Sequence, residues 1–196
     1  MQHSSATQEI AAHAARLVVE EGLEYGPAKR RALKALGLPA RTPLPDNDSL
    51  EDEVREYIEL FCADTQPSEL LALRKLALQW MERVAEFRPY LAGAVWHGTA
   101  TRLSDVYIQL FCDDPKAAEL ALINAGVRYE ARSVTGVLGH DAEALSIHAR
   151  SPALGEDIGV HLLVHDLDDL RGALKPDSKG RPPRGDIAAV RALLQG

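Results

Sequence analysis

The densest chemistry in the chain lies in residues 93–111, GAVWHGTATRLSDVYIQLF. Gly98-Thr99 joins a residue that lets backbone approach a ligand closely to a hydroxyl able to donate to a phosphate oxygen. Ser104-Asp105 then opens an alternating run in which Val106, Ile108 and Leu110 stand against Tyr107 and Gln109, the pattern of a half-buried strand. A carboxylate in such a place is a hard oxygen ligand for a cation such as Mg²⁺, and the residue two positions on shares its face. Here that residue is Tyr107, a phenol whose ordinary pKa of about 10 keeps it neutral at pH 7. Asp105, Gly98, Thr99 and Ser104 are thus the residues of this run whose types could do chemistry.

Other polar groups carry weaker signals. Asp113 and Asp114 precede Pro115, where carboxylates cap a helix, and HDLDDL (165–170) reads as a solvated acidic turn. Of the seven histidines, His161 and His165 stand on one strand face but roughly 13 Å apart, too far to share one ion. His97 and His148 are the histidines that a folded sheet could bring toward His161. Two basic segments, AKRRALK (28–34) and KPDSKGRPPRGD (175–186), read first as solvated surfaces and second as phosphate contacts. Cys62 and Cys112 lie in apolar runs without a CxxC partner, as reduced, buried thiols do.

The elements that must position these groups change period midway. Residues 6–21 carry Ile10, Ala14, Leu17 and Val18 at helical spacing, and Gly22 follows as a stop. PAKRRALKALG forms a short basic helix and PARTPLPDND an extended loop. Asp48 and Glu51 suggest a capping box before EDEVREYIELF, and SELLALRKLALQWMERVAEF is the longest helix. Beyond Pro89, LAGAVW (91–96), DVYIQLF (105–111), RYEARSV (128–134), ALSIHAR (144–150) and IGVHLLVH (158–165) read as strands. Helices are expected at 114–127 and over the final GDIAAVRALLQG. The expected class is α+β, with a four-helix domain over 1–88 and a mixed or antiparallel sheet with flanking helices over 89–196. The likeness of ELFCADTQPSEL (59–70) to QLFCDDPKAAEL (109–120) ends one helix and one strand, so it is read as coincidence.

The turn at Gly98-Thr99 followed by Ser104-Asp105 at a strand start resembles the fingerprint of the DNA-polymerase-beta-like nucleotidyltransferases, over roughly residues 90–165. The run FRPYLAGAVWHGTA (87–100), after an AKRRA-like helix, is also similar to an uncharacterised proteobacterial family with such a domain. The resemblance implies Asp105 as the catalytic and metal-binding acid, and Gly98, Thr99 and Ser104 as cofactor-binding residues. It also implies Mg²⁺ with a nucleoside triphosphate, three carboxylates, and a basic loop in which Arg181 folds back over the Gly98 turn to touch the triphosphate. At most one of those carboxylates is present. Tyr107 stands at the second position, and His161, before an apolar pair on IGVHLLV, stands at the third. Imidazole suits zinc or copper better than Mg²⁺, so His161 is a candidate ligand of altered character. The expected function is a nucleotide- or partner-binding protein with little or no catalysis. An active nucleotidyltransferase with an altered metal site and a toxin–antitoxin-type interaction protein are the alternatives.

The whole-chain numbers narrow these readings. The chain has 196 residues, 46% hydrophobic and 26% charged, enough to bury a core and too apolar for wholesale disorder. Its net charge of −7 argues against a basic coat for nucleic acid, without excluding a local patch. No apolar run approaches the about 20 residues that cross a bilayer, so no membrane partner is expected. MQHSSATQEI lacks a basic and an apolar signal region, which points to the bacterial cytoplasm. The oligomeric state is left open.

Overall fold

The computed structural model describes residues 2–196 and contains, among them, eight α-helices and a six-stranded mixed sheet, an α+β architecture. The chain divides into two compact units, Met1–Ser68 with Thr101–Leu103, and Glu69–Ala100 with Ser104–Gly196.

The first unit is built from α1 (Gln2–Glu21), α2 (Tyr25–Ala35) and α3 (Asn47–Phe61). Ile10, Ala14 and Leu17, Ala28 and Ala32, and Leu50, Val54 and Ile58 recur at three and four, so each helix turns one apolar stripe inward, and these stripes form one buried cluster. The cap of α3 is Asp46, whose carboxylate accepts from the Ser49 backbone N–H at 2.7 Å. Asp48 instead sits inside the first turn, where its charge complements the helix dipole, and Glu51 pairs with Arg55 at 2.7 Å. The basic helix is less solvated than its composition implies. Lys29 is buried, its Nζ donating to Asn47 Oδ1 at 2.7 Å, while Arg31 is paired with Glu21. Burial lowers the Lys29 pKa, opposed by the Asp46 carboxylate.

The second unit holds the sheet. Its strands are β1 (Tyr90–Ala92), β2 (Val106–Cys112), β3 (Glu130–Thr135), β4 (Asp141–Ser151), β5 (Glu156–Asp166) and β6 (Arg184–Gly185), in the order β3-β4-β5-β2-β1-β6. β2 and β5 run parallel, and the other pairings are antiparallel. One face is aliphatic: Val106, Ile108, Leu110, Leu145, Ile147, Ile158, Val160 and Leu162 are buried in one cluster. Leu73, Ala77, Trp80, Met81 and Val84 of α4 (Gln66–Arg83) and the turn after it join that cluster, as do Ala118 and Leu122 of α6 (Pro115–Asn124) and Val190 of α8 (Ile187–Gln195). α4, at 18 residues, is shorter than the 20-residue α1 and so is not the longest helix, as the sequence reading had it. It packs its stripe with the sheet, and the division of the chain falls at 68/69 where the sequence reading placed it at 88/89. The aliphatic face of β2, β4 and β5 must be covered, and α4, α6 and α8 share in covering it.

Asp114 caps α6 by accepting from the Lys116 N–H at 3.0 Å, the structural role expected of it. Asp166 caps its own turn through the Asp168 N–H at 2.8 Å, but this acidic turn is less solvated than expected, since Asp169 is buried and lies 2.9 Å from His140 Nδ1. The run 91–96 is not a continuous strand. β1 ends at Ala92, Gly93 takes φ 69°, and α5 (Gly93–His97) follows. Both cysteines are free thiols; Cys112 is buried as expected, and Cys62 is half-buried. No helix among the described residues is long and apolar enough to cross a membrane.

Candidate functional site

The site lies on the sheet's other face, and strand register assembles it. Reading Cα partners across the sheet, Arg184 faces Ala92, Ala92 faces Tyr107, Tyr107 faces His161, His161 faces Ser146, and Ser146 faces Glu130. Residues opposite one another in register share a face, so these six side chains form one file across the sheet. Asp105 stands immediately before β2, and its carboxylate lies over Gly159 of β5. A Cβ at Gly159 would sit 2.7 Å from Asp105 Cγ and Oδ1, so only glycine admits the carboxylate there.

The central contact is a hydrogen bond of 2.8 Å between His161 Nε2 and Asp105 Oδ2. The other ring nitrogen, Nδ1, lies 2.8 Å from Ser146 Oγ. The Tyr107 ring stacks on the imidazole with centroids 4.8 Å apart and planes at 29°. The His161 side chain is 13% exposed and that of Asp105 46%, so the imidazole is held inside and the acid reaches solvent. Beside them opens a cavity of about 420 Å³, lined by Asp105, Glu130, Arg132, Ser146, His148, Asp157, Gly159 and His161.

Asp105 and His161, the two candidate metal ligands, are thus brought together, bonded to each other. Both imidazole nitrogens are engaged and the third partner is a phenol, so this donor set does not fit a Mg²⁺ ion, which takes oxygen ligands in an octahedron. Among the described residues no three His, Cys, Asp or Glu side chains converge on a point that could hold a metal. His148 joins the cavity wall, whereas His165 is buried and stacks on Phe111 at 5.2 Å. Burial lowers the His165 pKa, the Asp169 carboxylate opposes this, and the Arg184 cation adds to it.

The glycine turn differs from the expectation. Gly98, with φ 87°, closes α5, and both its N–H and that of Thr99 bond to the Ala94 carbonyl. Thr99 is buried, and Ser104 is half-buried just ahead of Asp105. The basic loop does return to α5, by other residues than Arg181. Trp96 Nε1 donates to the Pro182 carbonyl at 2.9 Å, and the indole lies over Gly185, where a Cβ would be 2.2 Å from the ring. Arg181 holds Asp177 of its own loop, Nε to Oδ2 at 3.0 Å and Nη2 to Oδ2 at 2.9 Å. The member of that loop in the sheet-face file is Arg184, whose Nε and Nη1 are buried without a hydrogen-bond partner among the described residues. Sequence reasoning singled out neither Ser146 nor Gly159; their signal is cross-strand register, which one strand alone does not carry.

No protein-family model matches the chain, and no curated protein matches it.

Proposed function

We propose that the chain is a bacterial, cytoplasmic nucleotide-binding protein of nucleotidyltransferase-like make that binds without metal-dependent transfer. The observation that carries this reading is the His161–Asp105 hydrogen bond. The one acid at the expected ligand positions spends an oxygen on an imidazole, and the two replaced positions, Tyr107 and His161, stack on each other beside it. Two-metal transfer needs oxygen ligands that bridge both ions, and this arrangement supplies one carboxylate already bonded to a ring. A cavity of about 420 Å³ lies within the usual size range for small-molecule sites, and Arg132 and His148 on its wall are donors suited to an anionic group. Two free thiols suit a reducing compartment.

The test is a thermal-shift screen against the four ribonucleoside triphosphates, each with and without Mg²⁺ or Mn²⁺. Ligand at 100 times its dissociation constant stabilises the native state by about 2.7 kcal/mol, a rise of several degrees in Tm. The expected result is a shift with at least one nucleotide that does not depend on the metal. A metal-dependent shift lost in Asp105→Ala would replace this reading with that of an active nucleotidyltransferase, and no shift with any nucleotide would end the nucleotide reading.

A further inference from the structure

We propose that Ser146, His161 and Asp105 form a metal-independent nucleophilic relay that hydrolyses small carboxylic esters in the cavity between β3, β4 and β5. The proposal goes beyond nucleotide binding, which breaks no bond, and does not depend on it.

Proton bookkeeping around the ring sets the direction of the relay. An ionised carboxylate only accepts, so in the neutral imidazole the proton sits on Nε2, facing Asp105 Oδ2 at 2.8 Å. Nδ1 then carries the lone pair, and the hydroxyl 2.8 Å from it, Ser146 Oγ, is the donor. That is the order of nucleophile, base and orienting acid which activates a serine. The ring is held against Tyr107 and is only 13% exposed, so it keeps this orientation. Ser146 lines the cavity of about 420 Å³ together with Arg132. Arg132 faces Ala144 in register, two residues along β4 from Ser146 and on the same face, and it has no ion pair among the described residues. Its guanidinium is the donor available to a carbonyl oxygen that gains charge during attack.

The reaction balances without a metal or an oxidant. Ser146 Oγ attacks the ester carbonyl carbon while its proton passes to His161 Nδ1. The carbon–oxygen bond to the alcohol breaks, and the leaving alkoxide takes that proton. Water then adds to the acyl-serine, again giving its proton to His161, and the acid leaves as Ser146 recovers its hydrogen. The net change is ester plus water to acid plus alcohol. Ser146 and His161 are the catalytic residues, and Asp105 is a positioning residue acting through the ring.

The test uses the full chain without nucleotide. A fluorophosphonate probe forms a phosphorus–oxygen bond to an activated serine and releases fluoride. The expected result is one adduct, located at Ser146 by peptide mass spectrometry, absent from Ser146→Ala, and formed at least tenfold more slowly in His161→Gln and Asp105→Asn. p-Nitrophenyl acetate should be cleaved faster than by Ser146→Ala. A folded wild-type protein that gains no adduct at Ser146, or whose labelling is unchanged in His161→Gln, overturns the proposal. The wild-type adduct decides the matter even if a variant fails to fold.

Discussion

Gly159→Ala tests the geometry of the site through a residue that has no side chain of its own. The added Cβ would lie 2.7 Å from Asp105 Cγ and Oδ1 and 2.8 Å from Oδ2. Ordinary contact needs about 3.5 Å, so the carboxylate must withdraw by roughly 0.7 Å or more and give up its hydrogen bond to His161. Because the Asp105 side chain is 46% exposed, that bond is discounted for solvent screening to about 1 kcal/mol. Overpacking adds about 1 kcal/mol, and the loss of unfolded-chain freedom on replacing glycine returns about half of that. The net expected loss is about 1–2 kcal/mol. A double-mutant cycle separates the contact from backbone effects: in an Asp105→Ala background the obstructing carboxylate is gone, so Gly159→Ala should be neutral or slightly stabilising, with a coupling of about 1–2 kcal/mol. Urea unfolding of the four proteins measures this, and imidazole ¹⁵N shifts should show His161 losing its fixed Nε2–H tautomer in the single variant. An equal cost of Gly159→Ala in both backgrounds would refute the placement of the carboxylate over Gly159.

Three further perturbations follow from the packing of the sheet unit. The buried His165 has a pKa below the ordinary value of about 6.5, so the unfolded chain binds its proton first; stability should fall as pH drops below about 6.5, by at most about 1.4 kcal/mol per pH unit, and level off below the folded-state value. Urea midpoints between pH 5 and 7.5 should show that slope in the wild type and lose it in His165→Phe. Arg74 donates from Nε to the Val95 carbonyl at 3.0 Å and from Nη2 to that of Trp96 at 3.1 Å, closing the end of α5, so Arg74→Met should lower denaturant stability by about 2–3 kcal/mol. Gly185→Ala places a Cβ 2.2 Å from the Trp96 ring; the indole should leave the Pro182 carbonyl, seen as a change in tryptophan emission, with a loss of about 1–3 kcal/mol.

What could be read from the sequence was whatever a single element encodes. Val106, Ile108 and Leu110 announced β2 by alternation, and Asp114-Pro115 announced the start of α6. The same reading took α5 for strand, because five residues fit either period; Gly93 at φ 69° and the Arg74 guanidinium decide for helix, and the second comes from another element. β6 is two residues long and exists because Trp96 holds the loop that carries it. Within the site, Asp105, Tyr107 and His161 were legible as residue types at expected positions. Their mutual contact, and the recruitment of Ser146 and Gly159, follow from the registers of β2, β4 and β5, where a slip of one residue would have turned His161 into the aliphatic core.

The interdependence of these residues bears on what kind of site this is. A metal site that had merely lost two ligands would leave its remaining acid and its replacements unrelated to one another. Here Gly159 admits the Asp105 carboxylate, that carboxylate fixes the tautomer of His161, the ring of His161 stacks on Tyr107, and its far nitrogen takes the Ser146 hydroxyl. Removing Asp105 would leave a largely buried Nε2–H short of its acceptor, and replacing His161 with a carboxylate would set two acids together over Gly159. Restoring one expected carboxylate is therefore destabilising unless the others change with it. On the relay proposed above, these residues hold and move a proton at His161, and trapping of Ser146 probes that more directly than adding Mg²⁺ does.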